Sequence, residues 1–254
     1  MSYRDIVRKV VGESDIVIEV IDARFPEQSR NQELEGMVKA RGKKLLIVVN
    51  KSDLVTLDES REQKRGIGIK SVFVSAKQKK GTANLRKAIG ELSSGKEVRI
   101  GITGYPNTGK SSVINMLKGK KSSGTSSSAG FTKGMQYVRI SKKIVLIDTP
   151  GVIPVGENDE TLMALLSSKS PDRLKDLEGT GLEITELLLK ANRKQLEETY
   201  GVKAGGAEEF LEKLALEKNK LLKAGKPDLP AAARIIITDF QKGKIGLKES
   251  KPKD

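Results

Sequence analysis

A glycine-rich segment that follows a short apolar run constrains the fold of this chain more than any other feature. The segment reads Gly104-Tyr-Pro-Asn-Thr-Gly-Lys-Ser111, and the apolar run before it is Val98–Thr103. Two glycines followed by lysine and serine at this spacing are typical of a phosphate loop, which joins a strand to the first turn of a helix. Backbone N–H groups at such a helix start point toward phosphate groups. The sequence therefore predicts a strand–loop–helix unit that binds a phosphate-bearing ligand.

The side chains of this loop have different expected roles. We expect Lys110 to bridge the β- and γ-phosphates of a nucleoside triphosphate, and the Ser111 hydroxyl to ligate Mg²⁺. Asn107 has two interpretations: it stabilises the turn, or it ligates K⁺ and so places positive charge near the β- and γ-phosphates, where it would favour hydrolysis. The other residues expected to contact the nucleotide here are Gly104, Thr108, Gly109 and Ser112.

Two shorter segments precede the phosphate loop and indicate which base is bound. Asn50-Lys-Ser-Asp53 follows the apolar run Leu45–Val49, and Ser75-Ala-Lys77 follows Val72–Val74. One carboxylate, that of Asp53, can accept both N1–H and the N2 amine of guanine, whereas adenine lacks this donor pair and would leave the carboxylate unpaired. The segments therefore predict a guanine site, with Asn50 reaching N7, Lys51 covering a ring face, the Ala76 amide donating to O6, and Ser75 and Lys77 beside them.

The order of these segments along the chain is the reverse of the usual one. An ordinary GTPase opens with the phosphate loop and carries its guanine segments near the end, whereas here the guanine segments come first and Asp148-Thr-Pro-Gly151 comes last. Because domain termini often lie close together on the surface, such a permutation is physically tolerable. The sequence thus predicts a complete GTP site on a circularly permuted domain, with Leu92–Glu97 as the new connection.

The last segment and the loop before it supply further site residues. We expect Asp148 to hold Mg²⁺ through water and the Gly151 amide to contact the γ-phosphate. Thr132 is the threonine chosen to close on Mg²⁺, and Thr125 is the alternative. Val152 follows Gly151, where Ras-like enzymes have a water-orienting Gln, so intrinsic hydrolysis is expected to be slow, no faster than roughly 10⁻⁴ to 10⁻³ per second.

Alternation of apolar runs with helical stretches gives the fold class. Residues 1–169 predict an α/β domain with a mostly parallel sheet and helices on both faces. Ligands bind beyond the carboxyl ends of the strands in such sheets, and each segment named above follows a predicted strand. The remaining predicted strands are Ile16–Ile21, Tyr137–Ile140 and Ile144–Ile147, and the predicted helices cover 2–12, 28–41, 82–92 and 110–118.

Residues 170–254 predict a small all-α domain that ends in a basic tail, Lys242–Asp254. Ser170 and Pro171 have the pattern of a helix start. Apolar residues then recur at helical spacing, and glycines mark three expected helix ends. The apolar residues are Ile184, Leu187, Leu188, Phe210, Leu211, Leu214, Ile235, Ile236 and Phe240, and the glycines are Gly201, Gly225 and Gly243.

Composition narrows the partners and the chemistry. The net charge is +14, and residues 170–254 hold 17 Lys or Arg against 15 Asp or Glu, so most of the excess lies in 1–169. This excess either solvates the surface or binds nucleic acid. The chain has neither Cys nor His, which excludes thiolate and imidazole catalysis by its own side chains. No apolar run reaches the roughly 18 residues of a membrane span, and no signal-peptide core opens the chain, so a cytoplasmic location is expected.

Further segments carry a resemblance to a known family. Asp22-Ala-Arg-Phe-Pro26 followed by Ser29-Arg-Asn31, Gly130-Phe-Thr-Lys-Gly-Met-Gln136 and the permuted order resemble the YlqF/YawG-type circularly permuted GTPases over residues 13–155. The resemblance implies GTP hydrolysis and ribosome assembly, with GTP-dependent docking on the large ribosomal subunit or its precursor through rRNA. It also implies K⁺ dependence through Asn107. We do not expect the chain to bind membranes, and we expect it to be a monomer.

Two other functions remain open from the sequence. The chain could be a nucleotide-gated binding module for another structured RNA, with incidental hydrolysis. It could also be a signalling or membrane-associated G protein, although the absence of a lipidation motif in this sequence counts against that alternative.

Overall fold

A computed structural model describes residues 3–119, 136–149 and 159–247. The chain divides into two compact units, Met1–Glu157 and Asn158–Asp254. The boundary expected at 169/170 is therefore placed too late. The helix Glu160–Leu165 packs against helices of the second unit, which explains the earlier boundary.

The described part of the first unit is built on a six-stranded sheet with the order β3-β2-β1-β4-β6-β5. All neighbouring strands run parallel except β5, which pairs antiparallel with β6. A mostly parallel sheet was predicted, and both strands of the β5–β6 hairpin were predicted as strands. The strands are β1 Ile16–Asp22, β2 Lys44–Asn50, β3 Ser71–Phe73, β4 Val98–Thr103, β5 Gln136–Ser141 and β6 Ile144–Asp148.

Helices cover both faces of this sheet. One face packs against α4 and α5 through residues such as Leu85 and Val113, and the other packs against α1 and α2 through Val11 and Leu34. All seven residues of β1 are buried, as expected of a central parallel strand with helices on both sides. The helices are α1 Tyr3–Glu13, α2 Gln32–Ala40, α3 Leu57–Gly66, α4 Thr82–Ser93 and α5 Lys110–Lys118.

Two helices of this unit differ from their predictions. The helix predicted over 28–41 begins only at Gln32, because Asn31 is its N-cap and accepts from the Leu34 N–H. Helix α3 was not predicted at all. It has no buried residue and so lacks the apolar periodicity that reveals a helix, although its start carries a capping box between Thr56 and Glu59.

The second unit consists of helices packed around one apolar core. Phe210 on α8 and Phe240 on α9 are fully buried, and the ring of Tyr200 meets that of Phe210 edge-on at 6.1 Å. The predicted apolar positions Ile184, Leu188, Leu211, Leu214 and Ile236 are buried as well, whereas Leu187 is 40% exposed. The helices are α6 Glu160–Leu165, α7 Leu177–Tyr200, α8 Ala207–Glu217 and α9 Leu229–Gln241.

Some helix ends in this unit lie elsewhere than predicted. Pro171 begins only a short 3₁₀ turn, and the Ser170 side chain makes no capping hydrogen bond there. The long helix α7 begins instead after Asp176, whose side chain accepts from the Gly179 N–H. Gly201 ends α7 in a left-handed conformation, and Gly243 follows the end of α9, as predicted. Gly225, also predicted as a helix end, is the last residue of a separate 3₁₀ turn, Lys223–Gly225, and not of an α-helix.

Candidate nucleotide site

The carboxyl ends of five adjacent parallel strands, β3, β2, β1, β4 and β6, lie at one edge of the sheet and bring the predicted segments there. Asp22 at the end of β1 pairs in register with Asn50 at the end of β2, and Ile102 of β4 pairs with Asp148 of β6. The phosphate loop leaves the end of β4, which lies between β1 and β6. Segments that are far apart in sequence therefore surround one loop, at the edge where such sheets bind ligands.

The phosphate loop is packed so closely that two of its positions require glycine. A Cβ on Gly104 would lie 2.3 Å from the Val20 carbonyl oxygen, and one on Gly109 would lie 2.2 Å from Asn50 Nδ2. Both glycines also have positive φ, +140° and +95°. Thr108 between them is fully buried, and its hydroxyl donates to the Tyr105 carbonyl at 2.9 Å. The loop backbone is thus fixed by its surroundings.

Lys110 lies inside this loop. Its Nζ donates to the carbonyl oxygens of Gly104, at 3.0 Å, and Tyr105, at 2.9 Å. Burial lowers the pKa of Lys110 to about 8, while the nearby Asp148 carboxylate opposes that shift. The ammonium is therefore held over the loop by two neutral carbonyl groups. Phosphate oxygens are stronger acceptors because their hydrogen bonds would be charge-assisted.

Asn50 links the phosphate loop to the two guanine segments. Its Nδ2 donates to the Thr108 carbonyl at 2.8 Å, and its Oδ1 accepts from the Ala76 N–H at 3.1 Å. Asn50 is 3% exposed; its bond to Thr108 is buried and its bond from Ala76 is partly buried. One side chain therefore fixes the distance between the part of the site expected to hold phosphates and the part expected to hold the base.

The segment after Asn50 has an unusual backbone. Lys51 adopts a left-handed conformation with φ +62°, and the next residues form a 3₁₀ turn, Ser52–Leu54. The Ser52 N–H donates to the Val74 carbonyl at 3.1 Å, which ties this turn to the segment containing Ser75. Asp53 is partly buried on the turn. In the neighbouring segment Ser75 is buried and Lys77 is exposed.

The far side of the loop is lined by Asp148. Its Oδ1 is buried and has no hydrogen-bond partner among the residues the structure describes. Burial raises the pKa of Asp148, while Lys110 opposes the rise. An orphaned carboxylate oxygen and the exposed Ser111 hydroxyl are donors of the kind that Mg²⁺ prefers, so the residues present fit a magnesium ion. Thr149 fixes the strand end, because its hydroxyl donates to the Ile102 carbonyl at 2.8 Å.

Asn107 is exposed and has φ +60°. Asn is the residue that most often tolerates a left-handed backbone after Gly, which fits a turn-forming role. The K⁺ interpretation is compatible with the same position. Both interpretations of Asn107 therefore stay open.

Several predicted site residues lie outside the described residues: Thr132, Thr125, Gly151 and Val152.

One residue at this edge of the sheet was given no role by the sequence analysis. Asp22 is fully buried at the end of β1, and its carboxylate accepts from Lys51 Nζ at 2.7 Å. Its signal was a charged residue that ends a buried strand, within the segment Asp22-Ala-Arg-Phe-Pro26.

Comparison with known proteins agrees with this geometry. Residues 99–197 match the family described as 50S ribosome-binding GTPase. The fold matches GDP-bound YlqF from Thermotoga maritima with a TM-score of 0.67 at 23% identity, covering 98% of this chain and 99% of that one. It matches the GNP-bound form with a TM-score of 0.64 at 24% identity, covering 96% and 95%. The chain therefore has the fold of YlqF.

Relatives of this chain in sequence include longer proteins. It is 40% identical to an uncharacterized GTP-binding protein of Methanocaldococcus jannaschii, over 95% of this chain and 65% of that protein. It is 36% identical to nucleolar GTP-binding protein 2 of Yarrowia lipolytica, over 93% of this chain and 48% of that protein. The chain thus spans about two thirds of the first relative and about half of the second.

Among the helices in the described ranges, none combines the length and the apolar character that crossing a bilayer requires. The cytoplasmic location and the monomeric state expected from the sequence stay predictions.

Proposed function

We propose that this chain hydrolyses GTP to GDP and phosphate and acts in assembly of the large ribosomal subunit, which it binds in a nucleotide-dependent way. The observation that carries the proposal is the Asn50 side chain, which joins the guanine segments to the phosphate loop by hydrogen bonds of 2.8 and 3.1 Å. A site joined in this way can recognise a base and its phosphates as one ligand.

Guanine would be read by Asp53 and by the Ala76 N–H, which would exchange its present acceptor, Asn50 Oδ1, for guanine O6. Asn50 and Lys51 would lie beside the ring, and Ser75 and Lys77 would support the neighbouring turn. The phosphates would lie against the loop backbone. There Lys110 Nζ exchanges its present carbonyl partners for β- and γ-phosphate oxygens. The remaining proposed phosphate contacts are Gly104, Asn107, Thr108, Gly109, Ser111 and Ser112.

Ser111, Asp148 and Thr132 are the residues that would hold Mg²⁺. When bound there, Mg²⁺ would neutralise charge on the β- and γ-phosphates. The buried Asp148 oxygen that lacks a partner in the described residues supports its part in this set. Gly151 would contact the γ-phosphate through its amide. Because Val152 cannot orient water, we expect slow hydrolysis until a partner supplies the missing group.

We further propose K⁺ as an activator held by the Asn107 amide oxygen. Asn107→Gly tests this, since glycine readily adopts the same positive φ and removes the side chain that carries the amide. The wild type should hydrolyse GTP faster in K⁺ than in Na⁺, and the variant should lose that preference. Equal wild-type rates in the two salts, or an unchanged K⁺ preference in the variant, would contradict the K⁺ role.

The ribosomal partner is proposed from two sources. The matching family is described as ribosome-binding, and two relatives are named as nucleolar GTP-binding proteins. The net charge of +14 independently favours a polyanionic partner such as rRNA.

The experiment is co-sedimentation with purified large ribosomal subunits, in non-hydrolysable GTP analogue and in GDP, over a salt series. We expect stronger binding with the analogue and weaker binding as salt rises. Lys110→Ala should lose the nucleotide dependence. Lys142→Ala, which removes one exposed positive charge at the β5–β6 turn, should keep it. Equal binding to the large subunit in GTP analogue and in GDP would contradict the proposal and favour another structured RNA as partner.

A further inference from the structure

Asp22 presents a buried carboxylate next to the proposed base site. Its Oδ2 accepts from Lys51 Nζ at 2.7 Å and from Arg24 Nη2 at 2.9 Å. Its Oδ1 accepts from Arg24 Nε at 3.1 Å and from the Arg24 N–H at 3.0 Å. Burial alone would raise the pKa of Asp22, but the two cations hold it below its ordinary value. The carboxylate is therefore charged at neutral pH and fully engaged.

The position of this carboxylate is fixed by backbone contacts that do not involve Lys51. The Asp22 N–H donates to Ser29 Oγ at 3.0 Å, and the Ala23 N–H donates to the Asn50 carbonyl at 2.9 Å. Gln63 Nε2 on α3 donates to the Ala23 carbonyl at 2.9 Å. Asp22 is thus a rigid anchor, and Lys51 is the flexible member of the pair.

Lys51 needs such an anchor. It has four rotatable side-chain bonds and carries about 2 kcal/mol of rotamer entropy when free. Its side chain is only 19% exposed, and burial lowers its pKa while Asp22 opposes that shift. Without Asp22, solvation would draw the ammonium out of the protein and move its methylene stem away from the base site.

We propose that Asp22 is a positioning residue for guanine nucleotides: it holds the Lys51 ammonium so that the lysine stem stays in place as one wall of the base pocket. The inference rests on the proposed guanine site and deepens it. Asp22 does not contact the base edge. Its loss therefore weakens GDP and GTP alike without changing the preference for guanine over adenine. Freeing one long side chain predicts a loss of affinity of roughly three- to tenfold.

The test is a double-mutant cycle on GDP affinity with Asp22→Asn and Lys51→Met. If Asp22 acts through Lys51, Asp22→Asn weakens binding in the wild type and has little further effect in the Lys51→Met background. A general structural effect of Asp22→Asn would weaken binding equally in both backgrounds and would overturn the proposal. An Asp22→Asn variant that binds GDP as tightly as the wild type would also overturn it.

Asp15→Asn is the matched control. Asp15 precedes β1 at the opposite end of the strand from Asp22, and its carboxylate accepts from the Arg99 N–H at 2.8 Å. The control removes the same charge and should leave GDP affinity unchanged. If Asp22→Asn fails to fold, because two buried cations lose their partner, Asp22→Asn with Arg24→Gln is compared with Arg24→Gln alone. Failure of the wild type to bind GDP would instead contradict the proposed function.

Discussion

At the scale of single residues, Glu19 shows how a buried polar group resists prediction. It lies in the middle of β1 and is completely buried. Its Oε1 accepts from the Asn31 N–H at 2.6 Å, whereas its Oε2 has no partner among the described residues. Burial, together with the nearby Glu35, raises the pKa of Glu19 to about 8, although the Asn31 N–H and Arg30 oppose the rise. The apolar residues around Glu19 in the sequence do not reveal that its carboxyl group is completely buried.

The raised pKa predicts a pH dependence of stability. Between the ordinary pKa of 4.5 and about 8, folded Glu19 keeps a proton that the unfolded chain releases. The free energy of unfolding should therefore fall as pH rises through this window, by at most about 1.4 kcal/mol per pH unit. Glu19→Gln should remove this part of the slope, as measured by urea unfolding at pH 5, 6, 7 and 8. Parallel profiles for the two proteins would contradict the account.

The sequence alone assigns a role to some site residues and not to others. The spacing of Gly104, Gly109 and Lys110 identified the phosphate loop because each position follows a steric or charge requirement. The bonds of Asn50 to Thr108 and Ala76 join residues that are distant in sequence, so they depend on the strand order. The contact between Asp22 and Lys51 has the same origin, which is why the sequence assigned Asp22 no role.

At the scale of elements, burial decides what a sequence predicts. The inner strands were predicted because helices cover both of their faces, which leaves continuous apolar runs. Helix α3 was missed because it buries none of its side chains. The start of α7 was misplaced because Ser170-Pro171 has the pattern of a helix start, whereas the side chain that caps the helix is that of Asp176.

Capping provides a direct test at this scale. Asp176→Ala should destabilise the second unit by about 1 kcal/mol, because the side chain accepts from the Gly179 N–H at 2.8 Å. Ser170→Ala is the matched variant and should change stability by less than about 0.5 kcal/mol, since Ser170 makes no capping bond. Chemical unfolding monitored by helical circular dichroism compares the two. A larger loss for Ser170→Ala would show that the helix start is assigned wrongly.

At the scale of the whole molecule, the sheet order explains how a permuted chain brings the predicted nucleotide-binding segments to one edge of the sheet. The first guanine segment begins with Asn50 at the end of β2, and the second lies between β3 and α4. Strand β4, which is followed by the phosphate loop, is separated from β2 by β1. The connection between the two halves runs from Ser93 at the end of α4 to Val98 at the start of β4. It was predicted as Leu92–Glu97 because it joins the part of the sequence that usually ends such a domain to the strand that usually begins it. It lies away from the carboxyl ends of the strands, since it enters β4 at its amino end.

This topology predicts that the connection tolerates insertion. Adding Gly-Ser-Gly-Ser between Gly95 and Lys96 about doubles the loop and should cost only about 0.6 kcal/mol. GDP affinity should be unchanged in a titration of the purified variant. The same insertion between Pro106 and Asn107 is the control and should abolish binding while the circular dichroism spectrum stays the same. Loss of GDP binding after the first insertion would contradict the permuted topology.

The central claim is that segments in reversed order form one guanine-specific site, and Asp53 tests it most directly. The measurement is a calorimetric titration of the wild type and Asp53→Asn with GDP and with xanthosine diphosphate. Asn presents an NH₂ donor where the carboxylate accepted, so the variant should lose about a hundredfold in GDP affinity and gain affinity for the xanthine nucleotide. A variant that keeps the wild-type GDP affinity and gains none for the xanthine nucleotide would contradict the account.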